Sequence, residues 1–220
     1  MSSHILYSFR RCPYAIRARM TLRVASIEYE HREVLLKDKP AELVRVSPKA
    51  TVPVLILNNS EQTQVLEESI DIMRWALAQQ DPELWLAPDS KTQQDIENWL
   101  ATFEDNFKPN LDAYKYGNDK SEEAADSKTT ARKRCETVLA ELDTRLTSNA
   151  GNAGTVYLFG KQLGFADVAV FPFIRQYAAV EPERFRALQL SALNSWLDRW
   201  LEDPRFLEVM QKHPRWEGAV

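Results

Sequence analysis

The sequence predicts an α+β chain in which a βαβαββα domain precedes an all-α helical bundle domain. Over the first 80 residues, short apolar and β-branched segments typical of strands alternate with segments of helical periodicity. Beyond residue 89 the strand signals largely disappear, and apolar residues recur at the spacing of amphipathic helices. Two prolines, Pro82 and Pro88, interrupt the chain between these regions. We therefore predict domains over 1–80 and 90–220, joined by a linker over 81–89.

Local patterns predict each element of the first domain. Ile16, Met20 and Val24 recur every four positions on one face of a helix. Pro48 ends a short helix, because the residue before a proline is pushed out of the α region. In order, we predict strand 4–9, helix 12–25, strand 28–36, helix 40–46, strand 51–57, strand 64–66 and helix 69–79.

The second domain is predicted to be helical throughout, apart from a loop or loosely ordered helix end over 116–130 and a loop over 149–154. The helix over 165–178 is apolar nearly all round, which is typical of a helix buried in the centre of a domain. Gly164 precedes it as the N-cap, so Asp167 occupies the third position, where a carboxylate accepts a hydrogen bond from a backbone N–H. We therefore interpret Asp167 as structural rather than catalytic. The other predicted helices cover 91–114, 131–146, 190–202 and 204–212.

Composition limits the partners and the compartment. A formal net charge of -4 argues against nucleic acid or an anionic membrane as a partner. Cys12 and Cys135 lie far apart and do not form the framework of a secreted disulfide protein, and Cys135 is interpreted as a structural thiol. Three histidines show no ligand spacing, so no metal site is predicted. Without a secretion signal or an apolar stretch of about 18 residues, a cytoplasmic protein is expected.

The segment 6–15 passes from an apolar strand into a helix, with Cys12 at the turn. A thiol at a helix start faces N–H groups that lack helical partners, and the positive end of the helix dipole favours the thiolate. Pro13 suits the first helical position, because its missing N–H would have had no partner there. We therefore predict a reactive Cys12 with a lowered pKa. The alternative is a buried structural cysteine.

Four segments in this order resemble the cytosolic glutathione transferase family, most closely its omega-like, cysteine-containing branch of bacterial type. They are Cys12-Pro13-Tyr14-Ala15, Lys37-Asp38-Lys39-Pro40, Thr51-Val52-Pro53-Val54-Leu55 and Glu67-Glu68-Ser69-Ile70. The resemblance covers nearly the whole chain and implies a thioredoxin-like first domain. Gly164 is a departure, because the family usually has Ser or Thr at that cap. This difference predicts slightly lower stability without a change of fold.

The resemblance implies glutathione as substrate or co-substrate, and no metal. Pro53 is implied to be a cis-proline, which would leave the backbone N–H and C=O of Val52 free to pair with the peptide like an added strand. The alternative is an ordinary proline at the start of a strand. Tyr14 joins the implied glutathione-binding residues through its place beside Cys12.

The remaining implied glutathione contacts recognise charged groups. Ser69 and the amides at its helix start would hold the γ-glutamyl carboxylate, while Glu68 takes the ammonium. Lys39 would meet the glycine carboxylate. The alternatives are a plain helix cap with acidic neighbours for Glu68 and Ser69, and a solvated side chain for Lys39.

A cysteine at this position implies thiol transfer, in which its thiolate forms a mixed disulfide with glutathione that a second glutathione releases. Ala15 stands where a Cys-x-x-Cys pair has its second cysteine, so the mechanism is monothiol. Tyr7 and Ser8 compete with Cys12, because other branches activate glutathione with Tyr or Ser, but Tyr7 falls inside the first strand. The expected reactions are deglutathionylation and the reduction of dehydroascorbate or small disulfides.

Two alternatives stay open at this point. One is conjugation of glutathione to hydrophobic electrophiles, and the other is a non-enzymatic interaction module on the same fold. The resemblance places the second substrate near Phe103, Phe107 and Tyr114, although such aromatic residues are more often core. It also implies a homodimer.

Overall fold

A computed structural model describes residues 4–58, 63–86, 89–117, 122–150 and 156–218, with only the backbone described over 122–125. The chain divides into two compact units, Met1–Leu84 with Leu201–Val220, and Trp85–Trp200. The elements are β1 (His4–Ser8), α1 (Pro13–Val24), β2 (Tyr29–Glu33), α2 (Ala41–Val46), β3 (Val54–Asn58), β4 (Thr63–Leu66), α3 (Ser69–Gln79), α4 (Ser90–Tyr116), α5 (Glu122–Asn149), α6 (Phe165–Ala178), α7 (Pro182–Ala187), α8 (Ser191–Glu202) and α9 (Pro204–Val209).

The first unit is built on a four-stranded mixed sheet with the order β2-β1-β3-β4. Strand β1 pairs in parallel with β2 and antiparallel with β3, and β3 pairs antiparallel with β4. Helices α1 and α3 pack against each other, and their apolar side chains meet the sheet in one buried cluster. The element order confirms the predicted βαβαββα domain. The cluster is formed by Leu6, Ala18, Leu22, Ala25, Leu55, Leu57, Ile72 and Ala76.

The second unit is helical, as predicted. Helices α4 and α5 pack along each other, and α6 packs against α4. Helix α6 is buried on nearly every side, which confirms its predicted place in the centre of the domain. The carboxylate of Asp167 accepts from the Trp196 ring N–H at 2.9 Å, and from the backbone N–H of Leu158 at 3.1 Å and of Gly164 at 3.3 Å. Its role is therefore structural.

Two helical segments differ most from the predictions. Helix α5 begins at Glu122, so of the two alternatives predicted for 116–130 the loop is wrong over 122–130, while 118–121 lie outside the described residues. Polar residues of adequate helix propensity extend α5 without an apolar stripe. Helix α7 was not predicted, because it has six residues and buries only Phe185. The predicted loop over 149–154 falls largely outside the described residues, since 151–155 are not among them.

The end of the chain packs with the first unit. Phe206 in α9 is buried, and α9 packs against α1. The backbone N–H of Trp216 donates to the carbonyl oxygen of Glu33 at 2.9 Å, so the tail lies along the outer edge of β2. The Trp216 ring meets the Tyr7 ring edge-on, with centroids 5.6 Å apart. The compact units therefore differ here from the predicted limits, which assign everything after residue 89 to the helical domain.

Candidate functional site

Cys12 lies at the N-cap of α1, half-buried, with extended backbone angles. Its backbone N–H donates to the carbonyl oxygen of Phe9 at 3.0 Å, which closes the turn between β1 and α1. Pro13 occupies the first turn of the helix, as predicted. The thiol itself lies 3.5 Å from the carbonyl oxygen of Val52 and donates to it. The sulfur is therefore held between a helix start and the chain segment that leads into β3.

The pKa of Cys12 is raised from its ordinary value, contrary to the prediction. Burial is the largest cause, because the thiolate loses its hydration. The backbone N–H groups of Ala15 and Tyr14 and the charges of Arg19 and Arg17 all lower the pKa, but burial outweighs them. The helix start does act on the sulfur as expected. What the sequence did not reveal is how deeply the sulfur is covered.

Two arginines of α1 are fully buried beside the thiol. Arg17 donates through Nε to the hydroxyl oxygen of Ser69 at 3.0 Å. The guanidinium of Arg19 donates instead to the Ser8 hydroxyl and to the carbonyl oxygens of Phe9, Arg10 and Val209. The sequence indicated only general positive charge here. The structure shows that the two guanidinium groups donate hydrogen bonds to different residues.

The Val52–Pro53 peptide bond is cis, as the family resemblance implied. Both residues are buried directly before β3. The Val52 carbonyl, expected to be free for an added peptide, already accepts from the Cys12 thiol. A ligand that pairs with this backbone would therefore use the second lone pair of an oxygen to which the thiol already donates.

Ser69 and Glu68 lie at the start of α3 with different exposures. Ser69 is the first helical residue and only 3% exposed, whereas Glu68 is the exposed N-cap. The Glu68 carboxylate pairs with the Lys49 ammonium at 2.9 Å. The preceding carboxylate, Glu67, accepts from the buried Ser47 hydroxyl at 2.6 Å. Sequence reasoning missed Lys49 and Ser47, and the only signal was their place just before the 51–55 segment.

The other two residues predicted to bind glutathione, Tyr14 and Lys39, are not part of the contacts at the start of α3. The Tyr14 ring stacks against the Arg17 guanidinium, 5.4 Å from centroid to carbon. Lys39 is exposed in the loop before α2, and within the described residues its side chain makes no hydrogen bond or ion pair. The structure thus brings together Cys12 and Val52 directly and leaves Lys39 outside.

Tyr7 and Ser8 are both occupied by structural contacts. Tyr7 is 1% exposed, and its hydroxyl accepts from Arg32 at 2.7 Å. The hydroxyl of Ser8, also buried, accepts from Arg19. These contacts favour Cys12 over either residue as the reactive group.

The three aromatic candidates for a second substrate belong to the core of the helical unit. Phe103, Phe107 and Tyr114 are each no more than 3% exposed. Phe103 and Phe107 stack at 4.9 Å, and both Phe107 and Tyr114 pack against Tyr177. The core interpretation therefore accounts for all three.

Within the described ranges, no group of three or more His, Cys, Asp or Glu side chains is arranged to hold a metal ion. No described helix is both long enough and apolar enough to span a bilayer. The site therefore consists of a thiol, backbone groups and the start of a second helix.

Known proteins match both halves of the chain. The family model described as glutathione S-transferase, N-terminal domain, matches residues 6–84, and that for the C-terminal domain matches 93–202. Glutathione S-transferase U22 of Arabidopsis thaliana is 29% identical over 80% of this chain and 75% of its own length. Glutathione S-transferase omega-1 of Rattus norvegicus is 25% identical over 95% and 77%, respectively.

A solved structure of a glutathione transferase family member from Pseudomonas fluorescens, with two glutathione molecules bound, shares the fold. Its TM-score is 0.81 at 19% identity, over 95% of this chain and 92% of that one. The two family models together cover the sheet from residue 6 onward, both helix starts of the candidate site, α4 from residue 93, and α5 through α8. The chain therefore belongs to the glutathione S-transferase family.

Proposed function

We propose that this glutathione transferase is omega-like and transfers thiols through Cys12. One observation carries the proposal: the Cys12 sulfur lies at the start of α1, where the N–H groups of Tyr14 and Ala15 act on it. A cysteine here supplies a nucleophile of its own, whereas Tyr or Ser would only stabilise a glutathione thiolate. Ala15 leaves no neighbouring thiol to resolve a disulfide.

The proposed reaction has two exchanges. The Cys12 thiolate attacks the glutathione sulfur of a mixed disulfide, so that a bond forms between Cys12 and glutathione and the other thiol leaves as a thiolate. A second glutathione thiolate then attacks this bond, giving oxidised glutathione and restoring the Cys12 thiolate. In the net reaction one free glutathione and the mixed disulfide give the released thiol and oxidised glutathione, whose second half comes from the substrate, so no other reductant is needed.

We assign glutathione binding to residues at the starts of α1 and α3, to the segment before β3, and to Lys39, which lies apart from them. Ser69 and the amides at the start of α3 would take the γ-glutamyl carboxylate, and Glu68 the ammonium. Val52 and Pro53 would offer the backbone edge, with Tyr14 beside them. Lys39 would take the glycine carboxylate. Since Lys49 pairs with Glu68 in the free protein, the ammonium would displace an exposed ion pair of little energetic weight.

Conjugation of glutathione to hydrophobic electrophiles is the second candidate. It is favoured by the relative from Arabidopsis thaliana, whose name carries no omega designation and whose identity to this chain is 29%, against 25% for the omega-1 relative. The raised pKa of Cys12 also weakens the case for a thiolate at neutral pH in the free protein. A non-enzymatic module is the third candidate, and retention of the binding pattern around Cys12 argues against it.

The test compares wild type with Cys12→Ala and Cys12→Ser on two substrates, a glutathionylated peptide and an aryl halide. We expect both variants to lose disulfide reduction at least about a hundredfold, since only the cysteine provides the nucleophile. Intact-mass measurement after incubation with oxidised glutathione should show one glutathione on Cys12. Cys135→Ala is the control, because that thiol is buried and its pKa is raised to about 12.

Other outcomes separate the candidates. Full disulfide reduction by Cys12→Ala would overturn the thiol-transfer proposal. Aryl-halide turnover that exceeds disulfide turnover and survives in Cys12→Ser would favour conjugation. Absence of any binding to immobilised glutathione would favour the non-enzymatic module. We also propose a homodimer on family grounds, which light scattering tests as a particle of twice the monomer mass.

A further inference from the structure

Arg17 connects the two predicted ends of the glutathione site. Arg17 is 2% exposed, and its Nε donates to the Ser69 hydroxyl oxygen at 3.0 Å across the interface of α1 and α3. Its positive charge also acts on the Cys12 sulfur. One buried cation therefore reaches both the residue predicted to bind the γ-glutamyl carboxylate and the nucleophile.

The Arg17 contact defines what the Ser69 hydroxyl can still do. A serine hydroxyl has one donor and two acceptor sites, and Arg17 occupies an acceptor site. Within the described part of the chain, the Ser69 side chain makes no other hydrogen bond. Its O–H group is therefore left to donate, and a carboxylate is an acceptor that strengthens such a bond by its charge.

We propose that Arg17 is the positioning residue for the γ-glutamyl carboxylate: it fixes Ser69 as a donor and adds a buried positive charge behind it. The inference rests on the proposed glutathione-dependent function and adds a specificity to it. Ligands would be selected for an anionic group at the γ-glutamyl end, because the buried charge at this end favours an anion. The interaction is made through Ser69, so Arg17 itself does not touch the ligand.

Arg19 provides a matched control on the same helix. It is equally buried at 1% exposure, lies two residues further on and also carries its charge near Cys12. Its contacts are to Ser8, Phe9, Arg10 and Val209, and Ser69 is not among them. Loss of Arg19 should therefore disturb packing and the thiol without altering selection of the carboxylate.

The experiment measures the dissociation constants of two ligands by calorimetry: glutathione, and its analogue in which the γ-glutamyl α-carboxyl group is replaced by hydrogen. For wild type we expect glutathione to bind more tightly than the analogue. The selectivity is the dissociation constant of the analogue divided by that of glutathione. Arg17→Gln and Ser69→Ala should each reduce this ratio about tenfold, equal to about 1.4 kcal/mol. In the double variant the two losses should not add, because they remove one shared interaction. Arg19→Gln should keep the wild-type ratio.

Specific results would overturn the proposal. It is wrong if Arg17→Gln keeps the wild-type ratio, whether or not it weakens binding of both ligands equally. It is also wrong if the loss of selectivity in Arg17→Gln adds fully to that in Ser69→Ala. Should Arg17→Gln fail to fold by circular dichroism, Arg17→Lys replaces it, with the ratio required to fall between wild type and Ser69→Ala. Wild type that binds neither ligand would instead refute the proposed function itself.

Discussion

The Cys12 sulfur donates its hydrogen bond to the Val52 carbonyl oxygen, 3.5 Å away. A protonated thiol can make this bond, whereas a thiolate beside the same oxygen would be repelled. The contact therefore favours the same protonation state as burial does, against the N–H groups at the start of α1. A ligand N–H that pairs with the Val52 carbonyl would share this acceptor with the thiol, because a carbonyl oxygen has two lone pairs. The protonation state of Cys12 and any pairing of a ligand with Val52 therefore involve the same oxygen atom.

We predict that Cys12 in the free protein is alkylated slowly at neutral pH. The rate should rise only at a pH above that at which an ordinary cysteine ionises. The reacting species is the thiolate, and the pKa of this thiol is raised by burial. The rate of iodoacetamide labelling, followed by mass spectrometry against pH, should have its midpoint above about 8.5, the value for free cysteine. Free glutathione measured in parallel provides the reference.

Cys12→Ser is the control for this measurement, because it should remain unlabelled in the native state. Its remaining thiol, Cys135, is fully buried and has a pKa raised to about 12. A labelling midpoint clearly below that of free glutathione would contradict the prediction. That result would mean that the helix start outweighs burial.

Local sequence patterns predicted the parts of the fold that depend on neighbouring residues. Helices α3 and α6 have the predicted bounds, because each begins at a clear boundary and then carries a sustained apolar pattern. The first turns of α5 lack such a pattern, and α7 is too short to show one. The cover of β2 by Trp216 depends on residues some 180 positions apart, which no local pattern encodes.

The site shows the same distinction between local and distant causes. The helix-start position of Cys12 was predictable from Pro13 and the preceding strand. The sign of its pKa shift was not, because burial depends on chain brought in from elsewhere, Val52 included. Likewise, the sequence contains Arg17 and Arg19 at similar positions on one helix, but only the fold separates them by pairing Arg17 with Ser69.

Asp167→Ala is expected to destabilise the helical unit strongly. It leaves three donors without this acceptor: the buried Trp196 ring N–H and Leu158 backbone N–H, and the partly buried backbone N–H of Gly164. Each buried donor left unpaired costs about 1–3 kcal/mol, so we expect a loss of about 3–5 kcal/mol in the free energy of unfolding. Urea unfolding followed by circular dichroism measures it.

Asp167→Asn is the matched variant for this position. Its one oxygen can replace Oδ1, which accepts from both Leu158 and Trp196, while the bond from Gly164 is lost. The loss should therefore be about 1–2 kcal/mol. Equal destabilisation by Ala and Asn would show that charge, rather than hydrogen bonding, determines the role of this residue.

The stability of the wild type should also depend on pH through Asp167. Burial raises the pKa of this carboxyl to about 7, although its N–H donors lower it in part. When folding raises the pKa of a carboxyl, its protonated form stabilises the folded state. This contribution to the free energy of unfolding is complete below the unfolded pKa of about 3.9 and is lost as pH rises through about 7. The free energy of unfolding of wild type minus that of Asp167→Asn should therefore be smaller at pH about 8 than at pH about 5. A difference in unfolding free energy that stays constant with pH would refute this.

Trp216→Ala is predicted to weaken the first unit by detaching the end of the chain from the sheet. The Trp216 ring meets Tyr7 edge-on, and the Arg32 guanidinium lies 4.3 Å from its centroid. Aromatic pairs contribute about 0.5–1.5 kcal/mol and exposed cation–π contacts about 0.5–1 kcal/mol, so we expect a loss of about 1–2 kcal/mol. Far-ultraviolet circular dichroism during urea unfolding is the appropriate measurement, since the substitution removes a fluorophore.

Leu207→Ala, at a site 54% exposed in α9, is the control and should change the unfolding free energy by less than about 0.5 kcal/mol. Equal losses in the two variants would mean that the tail adds general packing and that the Tyr7 and Arg32 contacts have no special weight.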